Sequence, residues 1–384
     1  MHHAPILQTR RAFVATFTRG IGFGVPALGA IPLLGGLGGC ARRTGEVVAY
    51  TSVDDVLARE VLEACRRATG IDVVAVFDTE ATKTTGLENR VRAEANRPRA
   101  DLFWSSEAFA CARLADDGLL QPLPGDLLAG WPSTYRDPQG RWIGFSGRAR
   151  VIAYRSDRAL RPPATWGELA HGDPSVRIAI ADPRFGTTRG HVAALHAAWS
   201  SARTETRASS VEPDDVPLGI EQWADGLHAR GVRVLTGGNA ATVEAVAAGE
   251  ADLGLTDTDD VLAAQARGLP VAFTLPRTLP GDVAGGGTMV VPNTIGLVAG
   301  RDARPEVETV LRWLVSAESE RIICASPSRN IPLGPGAAEI AESCSAAFEE
   351  RDALTFDLSA AAREADELAA RVHRRLLGNQ AGLG

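Results

Sequence analysis

The sequence predicts an α/β protein built from two successive blocks, and three observations carry that expectation. Short β-branched runs alternate with amphipathic helical stretches from Glu46 onward. Hydroxyl-rich turns stand at the ends of those runs. The chain has 384 residues with 45% hydrophobic and 23% charged side chains, which is ordinary globular usage and enough for a sizeable core without metals or disulfides. No repeat of 20–50 residues is visible, which removes solenoids.

In the first block the pattern gives strands over residues 47–51, 72–77 and 101–104, each followed by a helix, over 53–68, 86–95 and 107–116. Helix signals bracket the first of these: Ser52 before Asp54 and Asp55 at its start, Thr69-Gly70 at its end. A second block opens with a strand at 151–154. It continues through a strand at 177–181, a helix after His191, a strand at 233–235, a helix after Ala240 and a strand at 253–255. Strands at 271–275 and 289–298 and helices at 306–316 and 359–377 complete the chain.

The formal net charge is −7, and residues 1–39 hold three Arg and no acid, so the remainder is more acidic still. That balance speaks against nucleic acid as the main partner. Lys83 is the one lysine among 40 basic residues.

The first forty residues read as an export address. Arg10-Arg11 with Phe13 resembles a twin-arginine signal, and the uncharged Gly, Ala and Leu run ends in Leu37-Gly38-Gly39-Cys40, which resembles the lipobox of bacterial lipoproteins. The run is nearly long enough for a single-pass anchor, but its many Gly and the small-small-Cys ending favour cleavage, so residues 1–39 are expected to be removed. Cys40 becomes the lipidated first mature residue, and 40–45 is a linker to the membrane. Of the other four cysteines, Cys65 and Cys111 fall on apolar helix faces as buried free thiols, and Cys324 with Cys344 is the pair open to a disulfide. None has the spacing of a metal cluster.

An open α/β sheet binds ligands at the carboxyl ends of its strands, where helix N-termini present free N–H groups. The turns there are Thr51-Ser52, the stretch from Asp78 to Thr85, Ser105-Ser106, Gly186-Thr187-Thr188, Thr236 to Asn239 and Thr256 to Asp260. Each is also a good N-cap sequence; their joint occurrence in both blocks points to a shared cleft. Ser146 lacks the surroundings of a nucleophile elbow and His171, His191, His196 and His228 keep no triad or HExxH spacing, so no catalytic residue is assigned. His191 and His196 are read as packing residues of one helix.

Val47 to Ser52, Thr69-Gly70-Ile71, Asp78 to Leu87, Ala100 to Trp104, Gly118-Leu119-Leu120, Gly144 to Val151, Asp182 to Thr188, Gly249 to Asp252 and Pro292-Asn293-Thr294 together resemble the periplasmic solute-binding proteins of ABC importers, in the ferric-iron-binding branch. The resemblance spans most of residues 46–335. It implies a two-lobed periplasmic-binding-protein fold with a hinge and an interlobe cleft, no enzymatic activity, a permease partner and a monomer. The protein is expected in the periplasm or at the outer face of the cytoplasmic membrane, held by its lipid. The lobes are set at 46–150 and 151–274, with a return to the first over 275–335 and a C-terminal helical segment over 336–384.

Ferric-binding relatives carry an adjacent Tyr pair, a hard oxygen donor for a hard ion. Here only Tyr50, Tyr135 and Tyr154 exist, and the corresponding stretch reads Leu255-Thr256-Asp257-Thr258-Asp259-Asp260. Carboxylates at Asp78, Glu80, Asp257 and Asp259 are open to two readings, hard-cation ligands or caps and solvated turn residues. Hydroxyls and helix starts suit a small anionic or zwitterionic solute of phosphate or phosphonate type. The expected ligand-binding set is Ser52, Thr84, Thr85, Ser105, Thr187, Thr188 and Asp257, with Lys83 either a charge partner for the anion or solvent-facing. No cofactor is called for; ferric iron is the alternative cargo.

Overall fold

The computed structural model describes residues 46–78, 85–208, 218–281, 283–302, 304–344 and 353–378. The expectations placed on Cys40, Glu80, Lys83 and Thr84 lie outside the described residues.

Strands β1 (Val47–Thr51), β2 (Val73–Phe77) and β3 (Leu102–Ser105) run parallel, with β1 in the middle. They alternate with α1 (Asp55–Thr69), α2 (Thr85–Ala93) and α3 (Ala108–Asp116). Asp54, not Ser52, caps α1: its carboxylate accepts from the Val56 and Leu57 N–H groups, while Gly70 closes the helix in the left-handed region at φ 73°. Ser52 is instead buried at the strand end.

After the two-residue β4 (Leu120–Gln121), the chain enters β5 (Trp142–Arg155), which is a single 14-residue strand. No new strand begins at Val151, where the second block was expected to open. Arg148 and Arg150 interrupt the apolar pattern without interrupting the backbone. Then follow β6 (Ile178–Ala181), α4 (Gly186–Ala208), α5 (Ile220–Ala229), β7 (Arg233–Leu235), α6 (Gly238–Ala247), β8 (Leu253–Asp257), α7 (Thr258–Ala266), β9 (Val271–Thr274) and β10 (Val290–Val298). The chain ends with α8 (Pro305–Leu314), α9 (Ala317–Ala325), α10 (Ala337–Cys344) and α11 (Leu358–Leu376). Four of these helices, α5, α7, α9 and α10, were not anticipated.

The strands form one curled path in the order β2-β1-β3-β10-β5-β8-β6-β7, with β4 on β10 and β9 on β5. β5 is the joint of this path: residues 142–149 pair with β10, and residues 150–154 pair with β8. Apolar clusters cover both faces of each half. Trp104, Phe145 and Ile295 meet α1 and α8 residues on one side of the first half, and Tyr50, Phe103 and Leu114 fill the other. Around the second half, Trp166, Trp199 and Trp223 pack with α4, α5 and α11, and Val151 and Val243 pack with α6 and α7 residues. A strand buried on both faces reads as a continuous apolar run, which is why the stretch of Val151, Ile152 and Ala153 is legible as strand. Cys65 and Cys111 are buried and free, and Cys324 is bonded to Cys344, tying α9 to α10. Among the described residues no helix is long and apolar enough to cross a membrane.

Candidate functional site

The end of β8 brings Asp257 beside β5. Its Oδ1 accepts from Arg150 Nη1 at 2.7 Å, and its Oδ2 accepts from the Thr187 hydroxyl at 2.6 Å and the Asn239 amide at 2.8 Å. Asn239 also donates to Thr187 Oγ1 at 2.8 Å, and Thr188 Oγ1 lies 3.3 Å from Asn239 Oδ1. Thr187 and Thr188 open α4, Asn239 opens α6 and Asp257 precedes α7. Three helix starts therefore converge on one carboxylate, because the parallel order β7-β6-β8 brings the carboxyl ends of all three strands to one edge.

The first half of the sheet supplies the opposite wall. Ser52 Oγ accepts from the Ser106 N–H at 3.0 Å and lies 3.3 Å from the Ser106 hydroxyl. Arg148 joins the walls: its Nη2 donates to the Ser106 carbonyl, while its Nε lies 3.6 Å from Asp257 and 3.3 Å from Asp259. Because side chains on a strand share a face every second residue, Arg148 and Arg150 point to the same side of β5.

Burial alone pushes the Asp257 carboxyl up, but Arg150, Arg148 and the Thr187 hydroxyl outweigh it and hold the group below the usual carboxylate range. His191, one turn into α4, is buried edge-on against Trp166 with ring centroids 4.3 Å apart. Burial first and the Arg150 charge second push its imidazole well below the ordinary histidine range, so it stays neutral. His196, also in α4, lies 3.8 Å from Glu364 of α11. Both histidines pack, as the sequence suggested.

Of the expected set, Thr187, Thr188 and Asp257 are brought together, with Ser52 on the facing wall. Ser105 is spent locally, its Oγ accepting from the Glu107 N–H at 3.1 Å. Thr85 begins α2, and its hydroxyl is buried with no hydrogen-bond partner among the described residues. Asp78 behaves as a cap, its carboxylate accepting from the Leu87 N–H at 3.1 Å. The cap reading fails for Asp257, which is a buried ion-pair acceptor. Sequence reasoning passed over Arg148 and Arg150, and named Asn239 only as the end of a candidate turn. The available signal was two arginines at alternate positions of an otherwise apolar strand.

A carboxylate oxygen from each of Asp257, Asp259 and Asp260 falls within a 4.8 Å group, the arrangement among the described residues that can hold a hard cation. No tyrosine joins it. Tyr50 donates to Glu94 at 2.8 Å, its phenol pushed up to about 12 by burial and then by that glutamate. Tyr135 packs with Ile331 and Leu333, and Tyr154 lies farther along β5 against the tryptophan cluster.

Two α/β halves joined by crossing strands, with polar loops from both converging on the joint, define a two-lobed binding protein. The family model described as bacterial extracellular solute-binding protein matches residues 60–353, and the chain belongs to that family. Iron uptake protein A1 of Synechocystis is 29% identical over 177 residues, 46% of this chain and 45% of that protein. Iron uptake protein A2 of the same organism is 27% identical over 262 residues, 65% of this chain and 69% of that protein. The chain thus spans about half of the first relative and somewhat over two thirds of the second. The fold agrees with a Trichodesmium protein in complex with iron and citrate ligands (TM-score 0.64, 22% identity, 86% of this chain and 99% of that one). It agrees equally with AfuA from Actinobacillus pleuropneumoniae with exogenous fructose-6-phosphate bound (TM-score 0.65, 15% identity, 88% and 98%). The matched relatives are solute-binding and iron uptake proteins rather than enzymes.

Proposed function

We propose that this protein is the extracytoplasmic receptor of an ABC importer and that its cargo is ferric iron carried as a small anionic chelate. One observation carries the cargo: the three-carboxylate group of Asp257, Asp259 and Asp260 shares Asp257 with the guanidinium groups of Arg148 and Arg150. Their formal charges sum to −1, too little to neutralise a trivalent ion taken from water. A chelating anion such as citrate supplies the missing negative charge. Carboxylates of the site serve the metal, and the hydroxyls and N–H groups at the starts of α4 and α6 serve the anion. The names of the relatives favour iron over the phosphate-type solute that the loops alone favoured. The family supports delivery to a permease, and the N-terminal sequence supports a mature protein lipidated at Cys40. The lobe boundaries expected from the sequence belong to the same proposal.

A second reading, a phosphorylated organic solute without metal, is favoured by the absence of tyrosine from the described site and by the sugar phosphate bound to a structural neighbour. Natively purified protein analysed for metals and small molecules, then melted with ferric citrate, inorganic phosphate or fructose-6-phosphate, separates the two. Ligand at one hundred times its Kd adds about 2.7 kcal/mol of stability. Iron in the purified protein with stabilisation by ferric citrate supports the first reading. Stabilisation by a phosphate compound and indifference to ferric citrate replaces it with the second.

A further inference from the structure

At the joint of the two halves, the β5-β10 pairing skips a residue. Gly147 faces Pro292 and Phe145 faces Asn293, so Ser146 has no partner across the ladder. Ser146 stands at φ 45°, a left-handed conformation that costs a residue with a Cβ. An inserted residue reverses which side chains face which side of a strand, so this bulge decides that Arg148 and Arg150 face Asp257.

The bulge is held from outside the strand. Glu320, in α9 and 1% exposed, accepts the Ser146 N–H at 2.9 Å, the Leu333 N–H at 2.8 Å and the Gly334 N–H at 3.1 Å. Asn293 donates its amide to the Ser146 carbonyl at 2.7 Å. Gly147 exchanges both backbone bonds with Ile331, at 2.6 and 2.7 Å. A Cβ on Gly334 would stand 2.8 Å from Glu320 Oε2, so the glycine is what lets the carboxylate approach.

We propose that Glu320 is the positioning residue of the hinge: its carboxylate fixes Ser146 in the left-handed bulge and thereby sets the two cleft arginines. This rests on the cleft described above but not on the identity of the cargo. Three buried N–H groups converging on one carboxylate exceed what packing of α9 demands, and the residue they fix lies two and four positions before the arginines that reach the site.

The test reads amide exchange in the ligand-free full chain, so its failure is separate from any failure to bind iron. In Glu320→Ala, the amides of 146–150 and 331–334 are expected to exchange about tenfold faster or more. Ser146→Gly alone is expected to leave them as in the wild type, since glycine adopts the left-handed region freely. Ser146→Gly combined with Glu320→Ala is expected to return 146–150 toward wild-type rates while 331–334 stay fast. A residue that merely packs would not be rescued by glycine at a distant strand. If Glu320→Ala does not fold, Glu320→Gln with and without Ser146→Gly gives the same comparison. Unchanged exchange in the Glu320 variants, or no recovery with glycine, overturns the proposal.

Discussion

Arg150 Nη1 and Asp257 Oδ1 meet at 2.7 Å with both side chains shut off from water, although 107 positions separate them in the chain. Removing Asp257 takes away the acidic partner of this contact and leaves Arg150 as a buried charge without that counterion, which costs about 3–5 kcal/mol. Asp257→Asn is therefore expected to lower the urea midpoint by an amount corresponding to several kcal/mol. Replacing both partners by Leu and Met is expected to cost markedly less than either single change. A single-variant loss below about 1 kcal/mol would show the pair to be open to solvent.

The buried pair of Glu88 and Arg113 is expected to make the fold acid-sensitive. Two bonds of 2.7 Å join them, and Arg189 adds a third contact at 3.3 Å. Burial works against the charge, but the arginines win and lower the Glu88 carboxyl to about 2. With a depressed folded value, the contribution is complete above the ordinary value of 4.5 and is lost as pH falls toward 2. Its size is on the order of 3 kcal/mol. Glu88→Gln should flatten the melting temperature between pH 5 and 2 relative to the wild type, while lowering it at pH 7. Parallel curves for the two proteins would refute the assignment.

His191 is expected to add a second acid-sensitive element at milder pH. Its folded value lies below its unfolded one, so the unfolded chain binds the extra proton and stability falls as pH drops below about 6.5. The slope is about 1.4 kcal/mol per pH unit until the folded group titrates. His191→Phe keeps a ring against Trp166 and removes the proton. The variant should hold its melting temperature from pH 7 to 5.5 where the wild type declines; an equal decline in both would place the proton elsewhere.

Much of this architecture could be read from local pattern, and the parts that escaped share a cause. β1, with its alternating Val47, Ala49 and Thr51, was placed to the residue, because strand periodicity and the following turn agree. α7 was missed because Thr258-Asp259-Asp260 reads as a polar loop; only in three dimensions do Val261, Leu262 and Ala264 find a buried face. Thr187, Thr188 and Asp257 were legible as hydroxyl and acid at strand ends. Arg150 was not, because a buried arginine makes sense only with its partner, and nothing local to β5 names Asp257.

The Cys324–Cys344 disulfide closes a loop with a sequence separation of 20 residues. Restricting a loop of that length in the unfolded chain is worth about 3 kcal/mol on the loop-entropy account. Reduction should lower the melting temperature, and Cys344→Ser should reproduce the loss without reductant, since Cys344 is less buried than Cys324 and tolerates the change better. A melting temperature indifferent to reductant would mean that the bond adds nothing beyond the packing of α9 on α10.

Thr187 and Thr188 are adjacent yet should fail in different ways. Thr187 Oγ1 donates to Asp257 and accepts from both Asn239 and Arg150, so Thr187→Ala strips a donor from a buried carboxylate and should cost about 1–3 kcal/mol of folding stability. Thr188 Oγ1 has a long contact of 3.3 Å to Asn239, a bond of little worth to the fold. Its hydroxyl stands at the start of α4, where an anionic ligand is best received. Thr188→Ala should leave the urea midpoint within about 0.5 kcal/mol of the wild type. It should also weaken ferric citrate binding about tenfold, the loss of one hydrogen bond to a charged group. Titration calorimetry beside denaturation tells the two apart: if Thr188→Ala loses stability and keeps its affinity, the anion does not sit at the start of α4.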